Sequence, residues 1–225
     1  MAIEFTTTRE HAMNGVKCLI YGESGAGKTT LCRTLPHDET IIISAESGLL
    51  SLRKVEIPVI KVTSMDDVRE AYAFLISEEG ARFKNVCLDS ITEIAEKVLA
   101  HEKSVAKDPR QAYGALIDHM TDIIKSFRDL PGRNVFMAAK QARVKDDATG
   151  FMLFGPTMPG SKLGPAIPYL FDLVGVLLTH RDEDGEVHRV IQTSGDVQYV
   201  AKDRSGELDL HEDPDLSAIF AKMQG

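Results

Sequence analysis

A chain of 225 residues suits one domain with a full core, or one domain plus a small extension. It is 43% hydrophobic and 27% charged, no apolar run approaches the roughly 18 residues of a membrane span, and residues 1–11 lack a signal-peptide core. Those features set aside membrane and secreted classes, and a net charge of −8 argues against a general polyanion-coating protein while leaving room for a local basic loop.

Residues 1–14 are polar and predict a lead-in arm. An apolar, strand-like run at 16–21 ends in Gly22, and GESGAGKT at 22–29 fits G-x-x-x-x-G-K-[ST]. A helix over 29–35 is expected to follow. Each part has a task around a triphosphate. Gly22, Gly25 and Gly27 let backbone N–H groups approach phosphate oxygens, with Glu23, Ser24, Ala26 and Thr30 completing the cradle. Lys28 can reach the β- and γ-phosphates, and the Thr29 hydroxyl can ligate Mg²⁺.

Further apolar runs at 40–44, 58–62, 85–89 and 134–139 predict strands. Helical stripes begin behind Ser64, behind the capping-box sequence Ser90-Ile91-Thr92-Glu93, and at Asp108-Pro109. Residues 140–162 read as a long polar loop and 163–171 as a short helix. Strands at 173–179 and 187–193 form a hairpin around Asp184-Gly185, and 197–201 is a last short strand. The stretch 205–215 holds five acids and no Lys or Arg, which predicts a solvated extension. The fold class is therefore α/β, with a mostly parallel central sheet flanked by helices and antiparallel strands toward the C-terminal side. The domain boundaries follow as an arm at 1–14, an ATPase domain at 15–206 and an acidic tail at 207–225. Cys18, Cys32 and Cys87 lack CxxC spacing and read as reduced core thiols of a cytoplasmic protein.

Five further groups can carry chemistry. Asp89 ends an apolar strand, where a carboxylate can hold Mg²⁺ through its water shell. Glu46 ends the strand after the phosphate-loop helix, positioned to polarise an attacking water. Gln141, at another strand end, can hydrogen-bond the γ-phosphate. In the loop behind it, Arg143, Lys145 and Lys162 interleave with Phe151 and Phe154, a composition that suits single-stranded nucleic acid. Lys202 and Arg204, two apart on an extended segment, point the same way and can serve as cationic fingers on a neighbouring subunit.

Together these residues resemble the RecA-type ATPase core over residues 15–206. IIISAESG resembles the segment whose Glu is the catalytic carboxylate of RecA recombinases, and NVCLDSITEI resembles their Walker B strand. MAAKQARVKDD resembles the strand carrying the γ-phosphate-sensing Gln, and AKDRSG the K-x-R-x-G element of RadA and DnaB-type helicases. FGPTMPGSKLGPAIPYLFD and AKDRSGELDL look most like phage-encoded RecA-like single-strand annealing ATPases of the Sak group. The resemblance implies ATP and Mg²⁺ as cofactors and catalytic roles for Glu46, Lys28 and Gln141. It also implies a homo-oligomer, ring or filament, with Lys202 and Arg204 acting on the adjacent nucleotide, and single-stranded DNA as partner. The chain lacks the N-terminal oligomerisation region and C-terminal domain of bacterial RecA, so strand exchange on duplex DNA is not implied. The acidic tail leaves two roles open, restraint of DNA binding or contact with a single-strand-binding protein. The alternatives are a small P-loop kinase or other nucleotide-dependent enzyme acting on a small molecule, and a recombination mediator that uses ATP as a switch.

Overall fold

The computed structural model describes residue 7 and residues 14–46, 48–145, 150–181 and 184–225. The expected arm at 1–14 therefore lies almost wholly outside the described residues. Among the described residues, ten strands form one sheet: β1 (Lys17–Gly22), β2 (Thr40–Ser44), β3 (Val59–Lys61), β4 (Asn85–Asp89), β5 (Asn134–Lys145), β6 (Met152–Pro156), β7 (Leu173–Arg181), β8 (Val187–Gln192), β9 (Lys202–Asp203) and β10 (His211–Glu212). The path across it runs β10-β8-β7-β1-β5-β4-β2-β3, with β6 paired to β5 and β9 paired to β7. Pairing is parallel from β7 through β1, β5, β4 and β2 to β3, and antiparallel for β6, β8, β9 and β10. This is the expected α/β architecture.

Alternation divides the core. Leu19, Tyr21, Ile41, Ile43, Val86, Leu88, Val135 and Met137 face the helices Met65–Leu75, Ile91–Val105 and Pro109–Arg128. Cys18, Ile20, Ile42, Cys87, Phe136 and Ala138 share the opposite face with Leu31, Cys32, Leu216, Ile219 and Phe220. All of these residues are buried, so both sides of the sheet are dry, as a parallel sheet requires. Helix starts follow the sequence signals. Ser64 and Asp67 form a reciprocal capping box, and Asp108 caps the helix that opens on Pro109. At Ser90 only half of the expected box forms: its hydroxyl accepts from Glu93 N at 3.3 Å, while the Glu93 carboxylate pairs with Lys140.

Four expectations change. After the phosphate loop the chain makes a short 3-10 helix, Thr29–Thr34, because Pro36 forces Leu35 into an extended conformation. The strand expected at 134–139 continues to Lys145 and folds back as β6, so 141–156 is a two-stranded arm whose residues 146–149 lie outside the described residues. The short strand expected at 197–201 sits instead at Lys202–Asp203, where it pairs with Leu173 and Val174. The solvated extension is instead built in. His211–Glu212 adds an edge strand to β8, and the helix Leu216–Gln224 buries Leu216, Ile219 and Phe220.

Candidate nucleotide-binding site

The phosphate loop leaves β1 at the carboxyl edge of the sheet. Gly25 and Gly27 take positive φ values of 78° and 110°, and a Cβ at Gly22 would lie 2.9 Å from the Leu177 carbonyl oxygen. These are the turns that point amides into a concavity. Lys28 folds across its own loop, donating to the carbonyls of Gly22 and Glu23, each at 2.8 Å. Burial lowers its pKa, against the opposing pull of Glu46 and Asp89. Arg189 Nε donates to the Ala26 carbonyl of the loop at 2.9 Å. No motif pointed to Arg189, since a single Arg in a β8 strand carries no local signal.

β5 lies between β1 and β4, so the strands leading to the loop and to Asp89 stand about 10 Å apart. The structure closes that gap: Thr29 Oγ1 donates to Asp89 Oδ2 at 2.6 Å. Asp89 is buried, and desolvation pushes its pKa up to about 6 despite the Thr29 bond. Beside it, Ser90 Oγ donates to Glu46 Oε1 at 3.0 Å, and the Ser44 hydroxyl donates to the Glu46 carbonyl at 2.9 Å. A hydroxyl and a carboxylate in contact beside a phosphate loop are hard oxygen donors, the set that Mg²⁺ takes alongside its waters.

A cleft of about 660 Å³ joins Gly22, Glu23, Lys28, Glu46, Lys140 and Gln141. The structure thus brings together Lys28, Thr29, Asp89, Glu46 and Gln141 from four separate stretches of sequence.

The expected DNA-contacting residues sit on the arm and just behind it. Arg143 and Lys145 are exposed on β5, and Phe151 is 66% exposed at the arm's end. Phe154 is half-buried: its ring stacks on Tyr199 with centroids 5.6 Å apart, and the Arg143 guanidinium lies 5.4 Å from its centroid. Tyr21 Oη also donates to the Phe154 carbonyl at 2.9 Å, fastening the arm to the central strand. Beneath the arm a hollow of about 750 Å³ is lined by Lys145, Lys162, Lys202, Tyr169 and Tyr199.

Lys202 and Arg204 lie at the other edge of the sheet. Lys202 is in register with Val174, which is in register with Leu19, three residues before the loop. β9 ends at Asp203, so Arg204 lies just beyond it, and both cations stand near Asp172. Arg204 turns back to Asp172 Oδ1 at 3.4 Å and the Tyr169 carbonyl at 3.0 Å.

A protein-family model described as an AAA domain matches residues 14–205. Among solved structures, the flagellar accessory protein FlaH from Methanocaldococcus jannaschii is similar, with a TM-score of 0.48 and 11% sequence identity over 88% of this chain and 90% of that one. No match is found among curated proteins.

Proposed function

This chain belongs to the AAA-domain family, a nucleotide-dependent P-loop ATPase domain, and on that premise we propose that it is a Mg²⁺-dependent ATPase coupled to single-stranded DNA, acting in recombination or strand annealing. The observation that carries the ATPase reading is the pair of contacts at the strand ends, Thr29 to Asp89 and Ser90 to Glu46. They support reading Thr29 and Asp89 as a metal-holding pair and Glu46 as the carboxylate that polarises water, with both carboxylates near enough to Lys28 to attract its charge. Bound Mg²⁺ supplies charge neutralisation across the phosphate oxygens. The chain's own groups do the rest: loop amides and Lys28 hold the phosphates, Glu46 orients the attacking water and accepts its proton, and Gln141 contacts the γ-phosphate side.

Two features support DNA and assembly. The arm and the hollow beneath it gather Arg143, Lys145, Lys162 and Lys202 with Phe151, Tyr169 and Tyr199, cations and rings that suit phosphates and stacked bases. Lys202 and Arg204 stand at the edge opposite their own loop, so contact with a nucleotide requires a neighbouring copy in a ring or filament. Acidic residues near the C-terminus remain available to a single-strand-binding protein. No helix among the described residues is long and apolar enough to cross a membrane. All three cysteines are buried free thiols, which suits the cytoplasm.

The test is steady-state ATP hydrolysis with and without a single-stranded oligonucleotide, alongside oligomeric state with an ATP analogue. The proposal expects stimulation by the oligonucleotide, loss of turnover in Lys28→Ala and Glu46→Gln, and loss of stimulation when the charges at Arg143, Lys145 and Lys162 are removed together. Turnover surviving Lys28→Ala sinks the ATPase reading. A rate indifferent to every oligonucleotide sinks the DNA reading alone.

A further inference from the structure

At the carboxyl edge of the sheet, alternation decides which side chains face the phosphate loop. Ile20, Ile42, Cys87 and Ala138 all lie in the core beneath that loop, with Leu31 and Cys32. Two positions further along each strand come Gly22, Ser44, Asp89 and Lys140, which form one rank at the carboxyl edge, where the long Lys140 side chain bends over the edge to the helix Ile91–Val105. Gln141 continues the other series, through Met137 and Ala139, and lines the same cleft. Lys140 is in register with Gly22, the first glycine of the loop, and lines the same cleft as Lys28 and Glu46. Its charge and that of Lys28 repel each other across that cleft.

The Lys140 ammonium is paired with two carboxylates on the helix Ile91–Val105, Glu93 and, at 2.9 Å, Glu96. Its side chain remains 41% exposed and lines the cleft. Its backbone is fixed on both sides: Lys140 N donates to Thr92 Oγ1 at 3.0 Å and its carbonyl accepts from Thr157 N at 2.9 Å. Thr92 Oγ1 in turn donates to the Thr157 carbonyl at 2.9 Å. An ammonium on a fixed backbone, with one partner exposed and the other partly so, can change partners by side-chain rotation alone.

We propose that Lys140 is a nucleotide-binding residue that leaves Glu93 and Glu96 to contact the terminal phosphate of a triphosphate, and so distinguishes triphosphate from diphosphate. This rests on the nucleotide reading of the loop. A terminal phosphate brings more negative charge and more acceptor oxygens than either carboxylate, and it also relieves the repulsion between Lys28 and Lys140. A diphosphate held by the loop amides and Lys28 presents no such group on the β5 side. Lys140 then stays on Glu93 and Glu96; only with a triphosphate are these two left without their cation beside Thr92, which ties the root of the arm to the helix.

The test is titration calorimetry of nucleotide-free protein with Mg-ATPγS and with Mg-ADP. Wild type is expected to prefer the triphosphate. Lys140→Gln is expected to reduce that preference by about tenfold, the scale of one charge-assisted hydrogen bond, and Lys140→Arg to restore most of it. The double variant Glu93→Gln, Glu96→Gln, which removes the competing anions, is expected to strengthen the preference. A Lys140→Gln protein that keeps the wild-type ratio, or that weakens both ligands equally, overturns the proposal while leaving the phosphate loop intact. Wild type that binds neither ligand overturns the nucleotide reading itself, and this proposal with it.

Discussion

The two edges of the parallel sheet both place charge at strand ends, and they treat it in opposite ways. At the amino edge, Lys17 is buried and donates to the carbonyls of Asn14 and Arg133 at 2.8 and 2.7 Å, while Asp172 accepts from Lys17 N at 3.2 Å and faces Arg204. Those partners are largely backbone, fixed by the fold. At the carboxyl edge, Lys28 rests on its own loop, Lys140 on two side-chain carboxylates, and Asp89 on a threonine hydroxyl. Those partners can be exchanged, and a cleft lies beside them. The difference separates polar groups that hold the fold from polar groups that await a ligand. A buried charge alone does not make the distinction; the exchangeability of its partner does.

Arg204 is the exception at the amino edge and gives the largest expected effect. Its pairing with Asp172 is long and half-exposed, so Arg204→Ala is expected to change stability by less than about 1 kcal/mol. As a finger on the neighbouring nucleotide, the same change is expected to lower hydrolysis by the assembled protein about 10³-fold, with nucleotide affinity of dilute single chains unaltered. Should dilute chains also lose affinity, Arg204 acts within its own subunit and the contrast between edges breaks. Phe220 sharpens the structural side. It is buried on the C-terminal helix, and Phe220→Ala is expected to cost about 3–4 kcal/mol in denaturant unfolding while leaving nucleotide affinity unchanged.

How far the sequence foretold these two edges depended on whether a signal was local. The phosphate loop and the strand ending in Asp89 were legible because glycine geometry and an apolar run fix them within a few residues. The C-terminal helix was legible in principle: Leu216, Ile219, Phe220 and Met223 repeat at helical spacing behind Asp215, which caps the helix. The density of acids before it obscured that stripe. The arm was hidden for another reason. Gly and Pro residues in 140–162 read as loop, yet Gly155 is buried against Val144 and Val200, where a larger side chain has no room. That Lys140 lines the cleft beside Gln141, tied to two helix carboxylates, was not legible, because its partners lie more than 40 residues away in sequence. Arg189 and Asp172 act through contacts more than 150 residues away in sequence, which no local pattern encodes.

Asp89 probes the carboxyl edge through pH. Its folded pKa of about 6 stands above the ordinary 3.8, so the native state ionises it less readily than the unfolded chain does. The resulting cost is absent below about pH 4, grows between the two values, and is complete above pH 6 at about 3 kcal/mol or less. Asp89→Asn is therefore expected to raise the melting temperature of nucleotide-free protein at pH 7, with the gain vanishing near pH 4, and to abolish Mg²⁺-dependent nucleotide binding. A variant that is less stable at pH 7 would mean that the Thr29 contact outweighs desolvation and that this carboxylate belongs with the structural charges.

Lys17 is the counterpart at the amino edge, and its expected effect at neutral pH is the smallest. Burial lowers its pKa from 10.5 to about 8, against the attraction of Asp172 and Asp129. Below pH 8 both states hold the proton, and the native state bears the full cost of a buried ammonium. Between 8 and 10.5 the native amine has lost its proton while the unfolded chain keeps it, so the unfolded state binds more protons and stability rises with pH. Lys17→Met removes that cost but strands two carbonyls, and the terms nearly cancel to a net loss of about 1 kcal/mol at pH 7. At pH 10 the neutral amine still donates to both carbonyls and no longer suffers the charge penalty, so the gap between wild type and variant is expected to widen. Denaturant unfolding at the two pH values measures it, with nucleotide affinity constant throughout. A gap that narrows at high pH would mean that the ammonium is net favourable where it stands, held by Asp172 and Asp129 more than by the backbone, and the amino edge would then rely on side-chain partners as the carboxyl edge does.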